Sequence, residues 1–145
     1  MVHRSSATLL IKSREAARGS ASARLELAAL DTAIPCARLH AKAAALGWGL
    51  PSGQADTAEL VVSELVTNSV RASAGLTGPV VRLWLRSDRA RMLIQLWDAV
   101  GEMPARRDAG PHSETGRGLM LVAKLTSRWD ASRARGGGKV TWAVV

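Results

Sequence analysis

The run Glu59-Leu60-Val61-Val62-Ser63-Glu64-Leu65-Val66-Thr67-Asn68-Ser69-Val70-Arg71 decides how the rest of the chain is read. Its apolar residues recur at helical spacing, within a pattern from Asp56 to about Ser73 that predicts one long helix. At roughly 100° per residue, Val61, Leu65, Ser69 and Ala72 form its core side. Glu64 and Asn68, four residues apart, share a face along one border of that stripe. A carboxylate beside an amide there can set a general base next to an oxygen that ligates a hard cation. The ordinary alternative is a helix boundary with a solvated Glu, a spacing common by chance. Asp56 and Glu59 are expected near the helix N-terminus, where the dipole favours negative charge, and Gly75 and Gly78-Pro79 end the helix.

Upstream, Arg24-Leu25-Glu26-Leu27 alternates for a short strand. A helix capped by Asp31 or Thr32 then runs through Pro35 to Leu46, ended by Gly47, with Ile34, Ala37, Ala41, Ala44 and Ala45 inward. Downstream, Val80–Arg86 and Met92–Trp97 read as two strands of an antiparallel hairpin around Ser87-Asp88-Arg89-Ala90. An irregular stretch from Asp98 to Thr115 follows, and a loop of that length in a compact domain is usually functional or disordered. A helix Gly116–Ser127 and strands Trp129–Ala134 and Val140–Val145, around Gly136-Gly137-Gly138, close the chain. The order β, α, α, β, β, loop, α, β, β predicts an α+β two-layer sandwich, a mostly antiparallel sheet covered on one face by helices. Residues 1–22, rich in Ser, Ala and Arg without sustained period, read as a mobile N-terminal arm before a single domain at 23–145.

Two further features carry chemistry. Asp98 directly follows an apolar strand at the head of the long loop, where a carboxylate facing a cleft accepts hydrogen bonds from a ligand amino group such as adenine's. Its plain alternative is a turn-initiating Asp bonded to its own backbone. Gly116-Arg117-Gly118-Leu119 is a glycine-rich loop entering a helix, whose bare N–H groups and positive dipole end suit phosphate. It is not a Walker A motif, since the following Lys-Ser/Thr is missing.

Composition narrows the function classes. The 145 residues are 47% hydrophobic and 22% charged, enough for one soluble core, with no apolar run of membrane-spanning length. The single cysteine, Cys36, fits a reducing compartment and reads as a structural thiol, and a cytoplasmic location is expected. The net charge of +8 raises nucleic-acid binding. Sixteen of the 20 basic residues are Arg, a bias a GC-rich genome produces by itself, and no recognition helix or zinc-finger spacing is present. With no Phe or Tyr for base stacking, direct nucleic-acid binding is not expected, and an acidic protein partner accounts for the charge equally well. His3, His40 and His112 lack metal spacing. The five Trp residues, at 48, 84, 97, 129 and 142, read as core packing, and Arg106-Arg107 as a solvated pair or a contact for phosphate.

Taken in order, the Glu64/Asn68 helix, the Asp98 strand end, the long loop and the Gly116–Leu119 helix start resemble the histidine-kinase-like ATPase (GHKL, or Bergerat-fold) superfamily. Within it the chain is similar to stand-alone anti-sigma regulatory factor Ser/Thr kinases of actinobacterial type. The resemblance runs from about Arg24 to Val145 and includes the ending Gly137-Gly138-Lys139-Val140-Thr141-Trp142. It implies a Bergerat-type ATP-binding fold in which Glu64 is the general base and Asn68 coordinates Mg²⁺ on the ATP phosphates. It further implies that Asp98 reads the adenine amino group and that Gly101 to Thr115 form a nucleotide lid. Gly116, Arg117, Gly118 and Leu119 would wrap the phosphates, and Thr141 would support the adenine end. The implied partners are an anti-anti-sigma factor-like protein carrying the acceptor Ser or Thr and a sigma factor, with homodimerisation. Two departures stand out: Asp98-Ala99-Val100-Gly101-Glu102 replaces the usual Asp-x-Gly-x-Gly, with branched Val100 where a close backbone approach is expected, and the usual His after the Glu/Asn motif is absent. The alternatives are an inactive regulator that sequesters its partner on the same fold and, more remotely, a basic nucleic-acid module.

Overall fold

The computed structural model describes the backbone of residues 14–16, 20–101 and 114–145, and the side chains of 20–101 and 118–145. Strands β1 (Arg14–Ala16), β2 (Ser20–Ala28), β3 (Val80–Ser87), β4 (Met92–Asp98), β5 (Arg128–Arg133) and β6 (Lys139–Val144) form one sheet. Its order is β1-β2-β3-β4-β6-β5, and every neighbouring pair is antiparallel. Helices α1 (Ala33–Gly47), α2 (Ser52–Ala72) and α3 (Glu114–Leu125) complete the α+β architecture. No described helix is long and apolar enough to cross a membrane.

Strand alternation sorts the sheet's two faces. Leu25, Leu27, Val81, Leu83, Leu85, Met92, Ile94, Leu96 and Ala143 point to the helices and are buried. The alternate positions of β3, β4 and β6 stay half-buried or exposed, the polarity expected of an antiparallel sheet with one covered face. The β3–β4 hairpin turns through Arg89 at φ 71°, and the Asp88 carboxylate accepts the N–H groups of Ala90 and Arg91 at 2.9 and 2.7 Å. These backbone bonds hold the Asp88 pKa below its ordinary value.

On α1, Ala33, Ala37, Ala41 and Ala45 make a stripe of small buried residues, which lets α1 lie close along α2. Thr32 occupies the N-cap position but makes no side-chain capping bond, so the expected cap by Asp31 or Thr32 is not formed. The long helix α2 starts at Ser52, after Pro51 at its N-cap, and has no acidic residue in its first turn. Asp56 and Glu59 therefore do not serve the helix dipole as expected. They answer α1 instead: Lys42 Nζ lies 3.1 Å from Asp56 and 3.7 Å from Glu59, and Arg38 lies 3.1 Å from Glu59. Both acids together hold the Lys42 pKa above its usual value, Asp56 most strongly. The core side of α2 is Ala55, Ala58, Val61, Val62, Leu65, Val66, Ser69 and Val70; Ala72 is exposed and not part of it.

Strand structure begins inside the segment read as an arm, because β1 and the first residues of β2 lie before Arg24 and pair with each other. The rest of that segment, residues 1–13 and 17–19, lies outside the described residues, as do Arg106-Arg107, His3 and His112. The tryptophans divide. Trp48 and Trp129 pack against the core, whereas Trp84, Trp97 and Trp142 fall in the register of the uncovered face and lie under Arg24, Arg82 and Arg128. Core packing does not account for these three.

Candidate nucleotide site

The centre of the site is Asp98, the last residue of β4, with 0% of its surface exposed. Period-two alternation turns it towards the helices, and burial of a carboxylate requires partners. Three are present. Ser69 Oγ on α2 donates to Asp98 Oδ2 at 2.5 Å, Lys139 Nζ donates to Oδ1 at 2.8 Å, and the Val100 N–H donates to Oδ1 at 3.0 Å. The Val100 bond is the local turn that was the plain reading of Asp98; the other two come from distant parts of the chain. A carboxylate offers about four acceptor positions, so one remains, on Oδ2.

Ser69 makes this a composite site, because its neighbour Asn68 and, one turn back, Glu64 lie on the same stretch of α2. Asn68 Nδ2 is buried with no hydrogen-bond partner among the described residues. Gly118 of α3 seats against these two side chains: a Cβ there would stand 2.7 Å from Glu64 Oε2 and 3.4 and 3.5 Å from Asn68 Nδ2 and Oδ1. Only a glycine brings the α3 backbone this near the pair.

The glycine-rich segment is helical throughout. α3 begins at Glu114, two residues ahead of the expected start, so Gly116, Arg117 and Gly118 are part of its first turns and not a loop before it. The free N–H groups of a helix belong to its first four residues, here Glu114 to Arg117, which places them within a turn of Gly118. Leu119 and Val122 are buried, and Ala123 is exposed. Gly101 is exposed, its carbonyl accepting from Arg133 Nη1 at 3.1 Å. The remainder of the expected lid, residues 102–113, lies outside the described residues.

On β6, Thr141 is buried opposite Leu96, whereas Lys139 stands opposite Asp98. Lys139 and Ser69 are the site residues that sequence reasoning missed, along with Gly138. At φ +75°, Gly138 brings its chain so close that a Cβ would overlap the Asp98 carbonyl oxygen, while Trp97 Nε1 donates to the Gly137 carbonyl at 3.1 Å. Gly137-Gly138-Lys139 was visible as a motif, but only strand register shows that it closes on Asp98.

A helix pair, a buried strand-end acid and a helix N-terminus thus meet on one face of an antiparallel sheet. Residues 27–145 match the family described as the histidine kinase-like ATPase domain. The chain belongs to this family. A histidine kinase-like ATPase domain binds ATP, and the match covers all described elements from the end of β2 onward. No curated protein matches the chain.

The residues present also fit a Mg²⁺ ion accompanying nucleotide. Asn68 Oδ1 and the Glu64 carboxylate offer hard oxygens for the ion, while the unpartnered Asn68 Nδ2 is a donor suited to a phosphate oxygen and not to a cation. The described residues hold no group of three or more His, Cys, Asp and Glu that would build an all-protein cage. Mg²⁺ characteristically needs none, taking one or two protein oxygens with phosphate and water.

Proposed function

We propose that this ATPase domain is an ATP-dependent protein Ser/Thr kinase of the anti-sigma type, which phosphorylates an anti-anti-sigma partner. The observation that supports it is the tie from Ser69 to Asp98, which sets the Glu64/Asn68 pair and the buried strand-end acid on one framework. In this reading the open acceptor position of Asp98 takes the adenine amino group, and the helix start at Glu114–Arg117 faces the phosphates. Asn68 holds Mg²⁺, which neutralises phosphate charge when bound. Glu64 accepts the proton of a partner Ser or Thr hydroxyl; that oxygen bonds to the γ-phosphorus, the bond to the β-phosphate oxygen breaks, and ADP leaves. Phosphoryl transfer is largely positioning and charge neutralisation, so this small set is sufficient.

Calorimetric titration with ATP and ADP, with and without Mg²⁺, tests the nucleotide half. Binding is expected to be lost in Asp98→Asn, and its Mg²⁺ dependence in Asn68→Ala. Transfer from γ-labelled ATP to an anti-anti-sigma-type protein tests the other half: Glu64→Ala keeps nucleotide affinity and loses transfer by about a hundredfold or more. An unchanged transfer rate removes Glu64 as the base. A second reading, a partner-sequestering regulator without chemistry, is favoured by the near-saturation of Asp98 and by branched Val100 beside it. Partner binding with no phosphate incorporation at millimolar ATP selects it.

A further inference from the structure

We infer that Lys139 is a specificity-determining residue of the nucleotide site. Its ammonium donates to ring nitrogen N1 of the purine, beside the amino group taken by Asp98, so that the ion pair reads two adjacent edge atoms and selects 6-aminopurines. The inference deepens the proposal that Asp98 receives the adenine amino group, and it rests on that reading.

Lys139 is 6% exposed and stands opposite Asp98 in the β4–β6 register. Its position is fixed by the backbone, because Gly138 seats the chain against the Asp98 carbonyl oxygen more closely than any Cβ tolerates. A lysine ammonium carries three donors and no acceptor. One goes to Asp98 Oδ1 at 2.8 Å, and the others have no partner among the described residues. Buried polar groups are nearly always satisfied, and a charged donor left unpartnered is costly. No described carbonyl or second carboxylate completes this one. Asp98 has the matching feature: Oδ1 takes Lys139 and the Val100 N–H, Oδ2 takes Ser69 Oγ, and one acceptor position on Oδ2 stays open. Donors without acceptors and an acceptor without a donor thus lie on one buried ion pair. A ligand edge with a donor next to an acceptor completes both, and the 6-amino group and N1 of adenine are such an edge.

Neither member of the pair can turn round. An ionised carboxylate only accepts and an ammonium only donates, whereas a hydroxyl or a water does both. Guanine and hypoxanthine present the edge in reverse, an acceptor at O6 and a donor at N1. In the same pose O6 meets the carboxylate and the N1–H meets the ammonium, so both buried groups stay unpaired, which is how a site rejects a near-isostere most strongly. Thr141, two residues along β6 and opposite Leu96, carries a hydroxyl that accommodates either edge, so it does not supply this selectivity.

Calorimetric titration of the full chain with ATP, 1-deaza-ATP, 7-deaza-ATP and ITP, each with Mg²⁺, tests the inference. 1-Deaza-ATP keeps the amino group and has C–H in place of N1. It is expected to bind about ten- to a hundredfold more weakly than ATP, the usual cost of a lost hydrogen bond to a charged group. 7-Deaza-ATP binds as ATP does, and ITP at least about a hundredfold more weakly. Lys139→Met, which cannot donate, binds ATP and 1-deaza-ATP within about threefold of each other. The wild-type comparison decides the matter even if that variant does not fold. Equal binding of ATP and 1-deaza-ATP by the wild type overturns the inference and leaves Asp98 as the adenine reader. So does ITP binding as tightly as ATP, an equal loss with 7-deaza-ATP, or a gap between ATP and 1-deaza-ATP that persists in Lys139→Met. Binding of none of the four overturns the nucleotide reading of the site and the inference with it.

Discussion

Lys139 Nζ lies 2.8 Å from Asp98 Oδ1 with the two side chains 8% and 1% exposed, so the nucleotide site is built around an interior ion pair. Removing one member of such a pair strands the other in a low dielectric. Lys139→Met is expected to destabilise the fold by about 3 kcal/mol. Urea unfolding should show that loss largely recovered in Lys139→Met/Asp98→Asn, where neither charge is left alone.

Gly118→Ala separates stability from ligand binding. A methyl 2.7 Å from Glu64 Oε2 meets the far end of a flexible side chain, which can swing away. Alanine also improves helix propensity by up to about 1 kcal/mol, so the unfolding midpoint should move little. Displacing Glu64 and crowding Asn68 nonetheless disturbs the site, and calorimetry should show ATP affinity reduced about tenfold or more.

Gly138→Ala has the opposite character. The obstacle is the Asp98 backbone carbonyl, which cannot swing away, and φ +75° is unfavourable for any residue with a Cβ. A loss of about 2 kcal/mol or more is expected in urea unfolding, with ATP binding lost in parallel as the Asp98–Lys139 register shifts.

His40, on α1, is half-buried, its Nε2 lacks a partner among the described residues, and desolvation lowers its pKa. The folded state therefore holds this proton less tightly than the unfolded chain, whose ordinary value is about 6.5. His40 costs no stability above that value; as pH falls below it the unfolded state gains a proton first, and stability drops until the folded pKa is passed. Thermal midpoints between about pH 7.5 and 5 should fall more steeply for the wild type than for His40→Gln.

Strand alternation, helix periodicity and glycine punctuation are local properties, and they sufficed for the α+β order, the β3–β4 and β5–β6 hairpins, and the pairing of Glu64 with Asn68. Errors fell where a local rule had a tertiary competitor. Asp56 and Glu59 fit the dipole rule, but α2 starts four residues earlier and both acids face cations on α1. Trp84, Trp97 and Trp142 look like core residues by hydrophobicity, yet strand parity puts them on the face the helices leave open.

What the sequence determined by itself is the elements from β2 onward, β1 having been missed, and the candidate residues Glu64, Asn68, Asp98 and Gly118, because each declares itself through neighbours within one turn or strand. What only the tertiary structure decided is which groups share a site. Ser69 reaches Asp98 across 29 positions and Lys139 across 41; these contacts are set by sheet register and by the seating of α2 on β4. A buried carboxylate must be satisfied by whatever donors the fold brings to it, and no local pattern names donors that distant.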